Sequence, residues 1–203
     1  MEPITKVNLE RITNGIYAFT MTLMVRNIVT PLPGTITNDA ALFRYLDVTV
    51  LSIIDFIGAF IILGMFWLFY FQIFHRMKMV DFHVLHVHLL SLMVVVFVPF
   101  TQSFTDDRSG IPASQFLFQL NYLILAILLA YTWYYVRNRP ALLQEGVTEP
   151  EASYLSAKFA VPLGVAALGI GLVILGFHYI DILYLLPFVI IGIFFRNPPE
   201  NAQ

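Results

Sequence analysis

The chain has 203 residues, of which 59% are hydrophobic and only 12% charged, and its formal net charge is −2. Soluble domains are ordinarily about 45–50% apolar and about 25% charged, so this composition predicts a multi-pass membrane protein. The absence of cysteine excludes disulfides, thiolate metal sites and cysteine nucleophiles. The sequence also has no P-loop, dinucleotide fingerprint, nucleophile elbow or basic cluster, so neither nucleotide chemistry nor nucleic-acid binding is expected.

Six apolar segments are long enough to cross a bilayer, which takes about 20 mainly apolar residues. They lie at about residues 12–30, 48–74, 82–104, 116–136, 158–177 and 179–195. No small-residue cleavage site follows the first segment, so it is expected to remain in the mature protein. The acidic stretch from Glu145 to Glu151 is the longest polar linker, and a tight hairpin is expected near His178 to Asp181. We therefore predict an all-α integral membrane protein with one six-helix domain over residues 1–203.

The distribution of basic residues predicts the orientation of these helices. Eight of the eleven fall on the side that holds the N-terminus, namely Lys6, Arg11, Arg76, Lys78, Arg137, Arg139, Lys158 and Arg196. The opposite side holds Arg26, Arg44 and Arg108. Because short cytoplasmic loops carry an excess of Lys and Arg, both termini are predicted to be cytoplasmic.

The first helix is unusually polar for a membrane segment. Its polar and small residues are Thr13, Asn14, Gly15, Thr20, Thr22 and Arg26. Gly15, Phe19, Thr22 and Arg26 are spaced by four, three and four residues, so they share one helix face. Two interpretations are open. This face packs the first helix against the other five, or it lines a pore in which Phe19 forms a hydrophobic ring that gates by dewetting.

Two intramembrane charges have alternative roles. A ring of Arg26 side chains on a pore axis would repel cations. Alternatively, Arg26 snorkels outward or pairs with Asp47 or Asp55 at the start of the second helix. Asp55 lies among apolar residues, so it is either a buried partner for Arg26 or the coupling acid of a small proton-coupled transporter.

Four histidines cluster around the connection between the second and third helices: His75, His83, His86 and His88. His83 and His86 are three residues apart and share a helix face, so a metal- or haem-binding membrane enzyme is an alternative function. A pH-responsive cluster and ordinary hydrogen-bonded histidines are the other interpretations. A diiron membrane oxygenase would need more histidines, in several boxes, than the five in this chain. We expect no bound metal and no cofactor.

Several motifs resemble one known family. The first helix reads Ile12-Thr13-Asn14-Gly15-Ile16-Tyr17-Ala18-Phe19-Thr20-Met21-Thr22-Leu23-Met24-Val25. Further motifs are Trp67 with His75-Arg76, His88-Leu89-Leu90 with Val98-Pro99-Phe100-Thr101, and Gln119-Leu120-Asn121. Together they resemble the potassium channel family of transmembrane protein 175, found in prokaryotes and in animal endosomes and lysosomes. In that family, Phe-Ser-Asp-Gly opens the first helix, small and aliphatic residues follow, and then Thr-Leu.

The resemblance implies a homotetrameric, potassium-permeable cation channel of a prokaryotic cell membrane, with no enzymatic activity and no carbonyl filter loop. The first helix would line the pore, with Phe19 as its constriction and Thr22 as a hydroxyl layer one turn beyond. The chain departs from the family pattern at Ile12, Thr13 and Asn14, which stand for Phe, Ser and Asp. Asn8 stands where the family has Arg, although Arg11 lies one turn away. The family's Arg–Asp pair is therefore absent, and a polar network of Arg11, Thr13 and Asn14 is expected in its place.

Overall fold

The computed structural model describes residues 5–28, 31, 34–107, 112–177, 183 and 185–196, and these form an all-α bundle. The described helices are α1 (Lys6–Leu23), α2 (Asp39–His75), α3 (Phe82–Asp107), α4 (Pro112–Arg137), α5 (Glu149–Ile174) and α6 (Leu186–Phe194). A short 3-10 helix, Met24–Asn27, continues α1 at its end.

Four stretches within these helices are long and apolar enough to cross a membrane. They are Ser52–His75, Phe82–Phe104, Ala113–Arg137 and Glu149–Ile174. The chain is therefore a multi-pass membrane protein with several long apolar helices. Helix α1 is not among the four, although its 18 residues and the following 3-10 turn span about 35 Å, more than the roughly 30 Å of hydrocarbon. Its polar side chains lower its hydropathy.

Three helices begin earlier than the apolar segments of the sequence, for one physical reason. Helix α1 begins at Lys6 rather than near residue 12, α2 at Asp39 rather than near 48, and α5 at Glu149 rather than near 158. Hydropathy locates the apolar part of a helix, whereas the helix itself begins at its N-cap. Thr5, Asn38 and Thr148 each accept a hydrogen bond from a backbone N–H three residues on. The acidic stretch predicted as a linker therefore contributes Glu149 and Glu151 to the first turn of α5.

The other helix boundaries differ less from the ends of the predicted segments. Helices α3 and α4 extend a few residues beyond the predicted 82–104 and 116–136, whereas α5 ends at Ile174. Within the predicted 12–30 segment, α-helical geometry ends at Leu23 and the 3-10 turn begins at Met24. The structure gives α6 as nine residues of the predicted 179–195. The hairpin expected near His178 to Asp181 lies outside the described residues, as does Arg108.

The helices pack around a contiguous apolar core. Helix α4 lies between α3 and α5, α1 packs against α2 and α3, and α6 packs against α5. The largest buried side chains of the core include Trp133, Phe66 and Phe159. At the end of α1, the Asn27 side-chain amide donates to the Pro99 carbonyl of α3 at 3.0 Å.

The connections between α2 and α3 and between α4 and α5 meet at the same end of the bundle. Met77 and Leu143 form an isolated antiparallel bridge, in which Lys78 N–H donates to the Leu142 carbonyl at 2.8 Å. Arg76 Nε donates to Glu151 Oε1 at 2.7 Å, which ties the end of α2 to the start of α5. These contacts tie the end of α2, which packs against α1, to the start of α5.

Candidate functional site

Helix α1 has one buried face and one exposed face. Its buried side chains are Leu9, Thr13, Tyr17 and Thr20, and Met24 continues them in the 3-10 turn. They follow one another at intervals of three or four residues, so they form a single stripe against α2 and α3.

The residues of the predicted stripe lie on the other side. Gly15, Phe19, Thr22 and Arg26 are all exposed, and the Phe19 side chain is 60% exposed. A Cβ added at Gly15 would meet nothing within 4 Å. Within the described part of the chain, this stripe therefore does not pack α1 against the other helices. The single chain therefore has, along α1, an uncovered surface that combines a phenyl ring with polar groups.

Thr22 is held in a defined orientation. Its hydroxyl donates to the Phe19 carbonyl of its own helix at 2.7 Å. The hydroxyl has one proton, so this bond leaves the lone pairs of the oxygen free to accept. The oxygen lies on the exposed side of α1, one turn from the Phe19 ring, where it offers a partial negative charge.

Two side-chain hydrogen bonds connect α1 to its neighbours. The Thr13 hydroxyl lies 2.7 Å from His88 Nε2 of α3, and both side chains are buried. The same hydroxyl donates to the Leu9 carbonyl at 2.7 Å, so the imidazole is the donor in the first pair. Trp67 Nε1 of α2 donates to Asn14 Oδ1 at 2.8 Å. The two bonds hold consecutive residues of α1 on two different helices.

The sequence did not predict these partners. In the sequence, Trp67 and His88 belong to the motifs that resemble the family, and the predicted polar network comprises only Arg11, Thr13 and Asn14 of α1 itself. One hint was available: Trp67 and His88 stand in motifs that resemble the same family as the motif of the first helix. Which of them would meet could not be derived from one sequence.

Two exposed basic residues, Arg11 of α1 and Arg26 of the 3-10 turn, are not among the ion pairs formed by the described residues. Those pairs join Lys6 to Glu10, Arg76 to Glu151, Lys78 to Glu145, and Arg137 to Glu149. Arg11 and Arg26 are exposed, Asp47 is exposed, and Asp55 is half-buried in α2. The pairing of Arg26 with Asp47 or Asp55 stays a prediction.

The histidines are separated into individual environments. His83 Nε2 is 2.8 Å from the Tyr131 hydroxyl, and its ring stacks on Tyr135 with centroids 4.2 Å apart. His86 Nδ1 faces the Phe82 carbonyl of its own helix. Within the described residues, no group of three or more His, Asp or Glu side chains has the arrangement of a metal site. The geometry of these rings is that of hydrogen-bonded and stacked side chains.

Comparison with known proteins shows a similarity to one family of channels. Residues 8–99, which include most of α1, all of α2 and the first part of α3, match the family model of the endosomal/lysosomal potassium channel TMEM175. A potassium channel of Streptomyces collinus is 23% identical over 158 residues, which cover 75% of each chain.

The fold agrees with this match. The crystal structure of a lysosomal potassium-selective channel TMEM175 homolog from Chamaesiphon minutus is similar with a TM-score of 0.71 at 18% identity. The similarity covers 91% of this chain and 95% of that one. The bundle therefore has the TMEM175-like fold, and residues 8–99 carry the sequence similarity to the TMEM175 family.

Proposed function

We propose that this protein is a potassium-permeable cation channel, in which four copies of the chain surround a pore lined by α1. The observation that carries the proposal is the exposed face of α1, defined by Gly15, Phe19, Thr22 and Arg26. The match of residues 8–99 to a potassium channel family, and the name of the Streptomyces relative as a potassium channel, support the choice of ion. An ion channel carries out no covalent chemistry, so neither an enzyme nor a cofactor is part of the proposal.

The polarity of α1 favours an aqueous path over a lipid-facing position. Asn8, Arg11, Asn14, Thr22 and Arg26 are all exposed in the single chain. Polar and charged groups are costly in hydrocarbon and ordinarily face protein or water. Symmetric association around α1 would remove this face from lipid, because identical helices would meet around a common axis.

Ion passage would depend on two layers of α1. Phe19 rings from four copies would form a hydrophobic constriction that a hydrated cation crosses only by losing part of its water shell. The Thr22 oxygens, whose protons are engaged with the Phe19 carbonyls, would compensate for part of the lost hydration one turn away. A hydroxyl layer beside a hydrophobic ring is suited to monovalent cations, which cost less to dehydrate than divalent cations.

Arg26 would set the electrostatics of the pore entrance. It lies in the 3-10 turn after α1, one turn beyond Thr22. A pore-facing ring of guanidinium groups would lower the local cation concentration and reduce conductance at low ionic strength. If Arg26 instead pairs with Asp47 or Asp55, this field is largely cancelled. Both arrangements are compatible with the constriction at Phe19.

The topology belongs to the same proposal. Six crossings with both termini in the cytoplasm would put Arg26 at the outer mouth, and the ends of α2 and α4 on the inside, in agreement with the distribution of Lys and Arg. The chain would form one transmembrane domain over residues 1–203 in a prokaryotic plasma membrane.

The proposal is tested by recording ion flux through purified protein in liposomes or planar bilayers. We expect potassium flux from the parent protein, and an altered conductance or potassium-to-sodium ratio in Phe19→Ala. The matched control is Phe97→Ala on α3, because Phe97 is also an exposed aromatic side chain within a membrane span. Equal effects of the two substitutions would refute the role of Phe19.

The assembly is tested separately. Because the chain has no cysteine, Phe19→Cys introduces a single thiol, and oxidation should link it to the same residue of another copy. Native mass spectrometry should give a mass of four chains. A monomer that conducts ions, or a thiol at position 19 that never links, would contradict the arrangement of α1 around the pore.

A further inference from the structure

A half-open groove of about 490 Å³ lies on one side of the bundle, away from the buried face of α1. Its apolar walls include Met21 of α1, Phe60, Gly64 and Leu68 of α2, and Phe188 and Ile191 of α6. The α2 residues recur every four positions, so the groove runs along that helix rather than across it.

One end of the groove is polar and carries a positive charge. Lys158 of α5 and Gln72 of α2 line it there, and Lys158 Nζ donates to Gln72 Oε1 at 3.1 Å. The ammonium group also lies 6.0 Å from the centre of the Phe69 ring. The side chain is therefore held in place at the mouth of the groove.

The charge at this end is not balanced by the surrounding described residues. Arg76 approaches the same residue from the other side, donating to the Gln72 carbonyl at 3.2 Å, but its charge is compensated by Glu151 at 2.7 Å. None of the ion pairs among the described residues includes Lys158. The positive charge of Lys158 therefore has no paired carboxylate among the described residues, and it would complement an anion.

The length of the groove matches one leaflet of a bilayer. Phe60 and Gln72 are twelve residues apart on α2, which corresponds to about 18 Å along the helix. Half of the hydrocarbon core is about 15 Å thick. The charged end lies near the end of α2, at the same end of the bundle as Arg76 and Lys78. This is where a lipid headgroup would be placed.

We propose that this groove binds a phospholipid with an anionic headgroup, with an acyl chain along α2 and the phosphate region at Lys158. The charge complementarity of Lys158 selects the headgroup, because basic pockets between membrane helices bind anionic lipids. The apolar walls between Phe60 and Leu68 supply the contact for the chain. This proposal is independent of ion conduction, so it does not rest on the proposed function.

Native mass spectrometry of the purified protein tests it directly. The protein in detergent is titrated with phosphatidylglycerol and with phosphatidylcholine of identical acyl chains. We expect tighter binding of phosphatidylglycerol, and a loss of about fivefold in that preference for Lys158→Gln, from the contribution of one Lys near a charged membrane surface. Lys78→Gln is the matched control, because Lys78 lies at the same end of the bundle but pairs with the exposed Glu145.

A second variant fills the groove without touching the charge. A Cβ at Gly64 would meet only the Met21 methyl at 3.9 Å, an ordinary contact, and Gly64 lines the groove, so Gly64→Leu adds apolar volume there. It should weaken binding of both lipids. Equal preference for the two lipids in the parent protein, or an equal loss in Lys158→Gln and Lys78→Gln, would overturn the proposal. Disulfide-linked dimers of Leu68→Cys would also overturn it, because a second copy would then cover the groove.

Discussion

The buried contact between α1 and α3 gives the most direct test of how the proposed pore helix is held. Thr13→Val replaces the hydroxyl by a methyl group of similar shape. It leaves His88 Nε2 without the oxygen that lies 2.7 Å away in a site where His88 is 0% exposed. A buried donor that loses its acceptor costs about 1–3 kcal/mol. Few other contributions to the free energy of unfolding change, because valine fills nearly the same volume as threonine.

A free energy of about 2 kcal/mol corresponds to a fall of roughly 4–8 °C in the unfolding temperature of a chain of this size. Thermal unfolding in detergent, followed by tryptophan fluorescence, measures it. Thr22→Val is the matched control, because that hydroxyl is exposed and bonds only to a carbonyl of its own turn. Such surface substitutions ordinarily change stability by less than about 0.5 kcal/mol.

A double-mutant cycle separates the hydrogen bond from the loss of the groups themselves. His88→Leu removes the imidazole but leaves the Thr13 hydroxyl bonded to the Leu9 carbonyl. In the double variant, both ends of the bond are apolar, so its cost should be less than the sum of the single costs by at least about 0.5 kcal/mol. Additive costs, or a Thr13→Val no more destabilised than Thr22→Val, would refute the assignment of this bond.

Three further predictions concern other parts of the chain. Gly169→Ala should destabilise the protein, because its Cβ would lie 2.6 Å from the buried Gln119 side chain, whereas Gly171→Ala meets nothing within 4 Å and should be neutral or slightly stabilising in thermal unfolding. Trp67→Phe removes the donor to α1 and should change channel opening in bilayer recordings; unchanged gating would argue against a role for this bond. Arg26→Gln should raise potassium conductance at low salt and have less effect at high salt, and a salt-independent change would contradict a pore-entrance charge.

The sequence predicts the fold class because hydropathy and composition do not depend on contacts between distant residues. Long apolar segments and the absence of soluble-domain composition suffice for an all-α membrane protein. Helix starts do not follow from hydropathy, since the N-caps Asn38 and Thr148 lie well before the apolar segments. The polar first turns of α2 and α5 are invisible to hydropathy.

The exposed face of α1 was predictable from its spacing, but its surroundings were not. Intervals of three and four residues place Phe19 and Thr22 on one face whether that face is buried or open. The structure distinguishes the two cases within the chain, because Tyr17 and Thr20 occupy the buried side instead. Contacts such as Thr13 with His88 join residues 75 positions apart, and periodicity contains no information at that range.

The hydrogen bond from Asn27 to the Pro99 carbonyl has a mechanical consequence for α1. Pro99 lies inside α3 and has no N–H, so the helix lacks one backbone bond at the turn that Asn27 holds. A displacement of the end of α1 relative to α3 must either break this bond or bend α3 where its backbone is already weakened. Any widening of the proposed pore at that end would therefore move α1 and α3 together, and α3 would bend at Pro99.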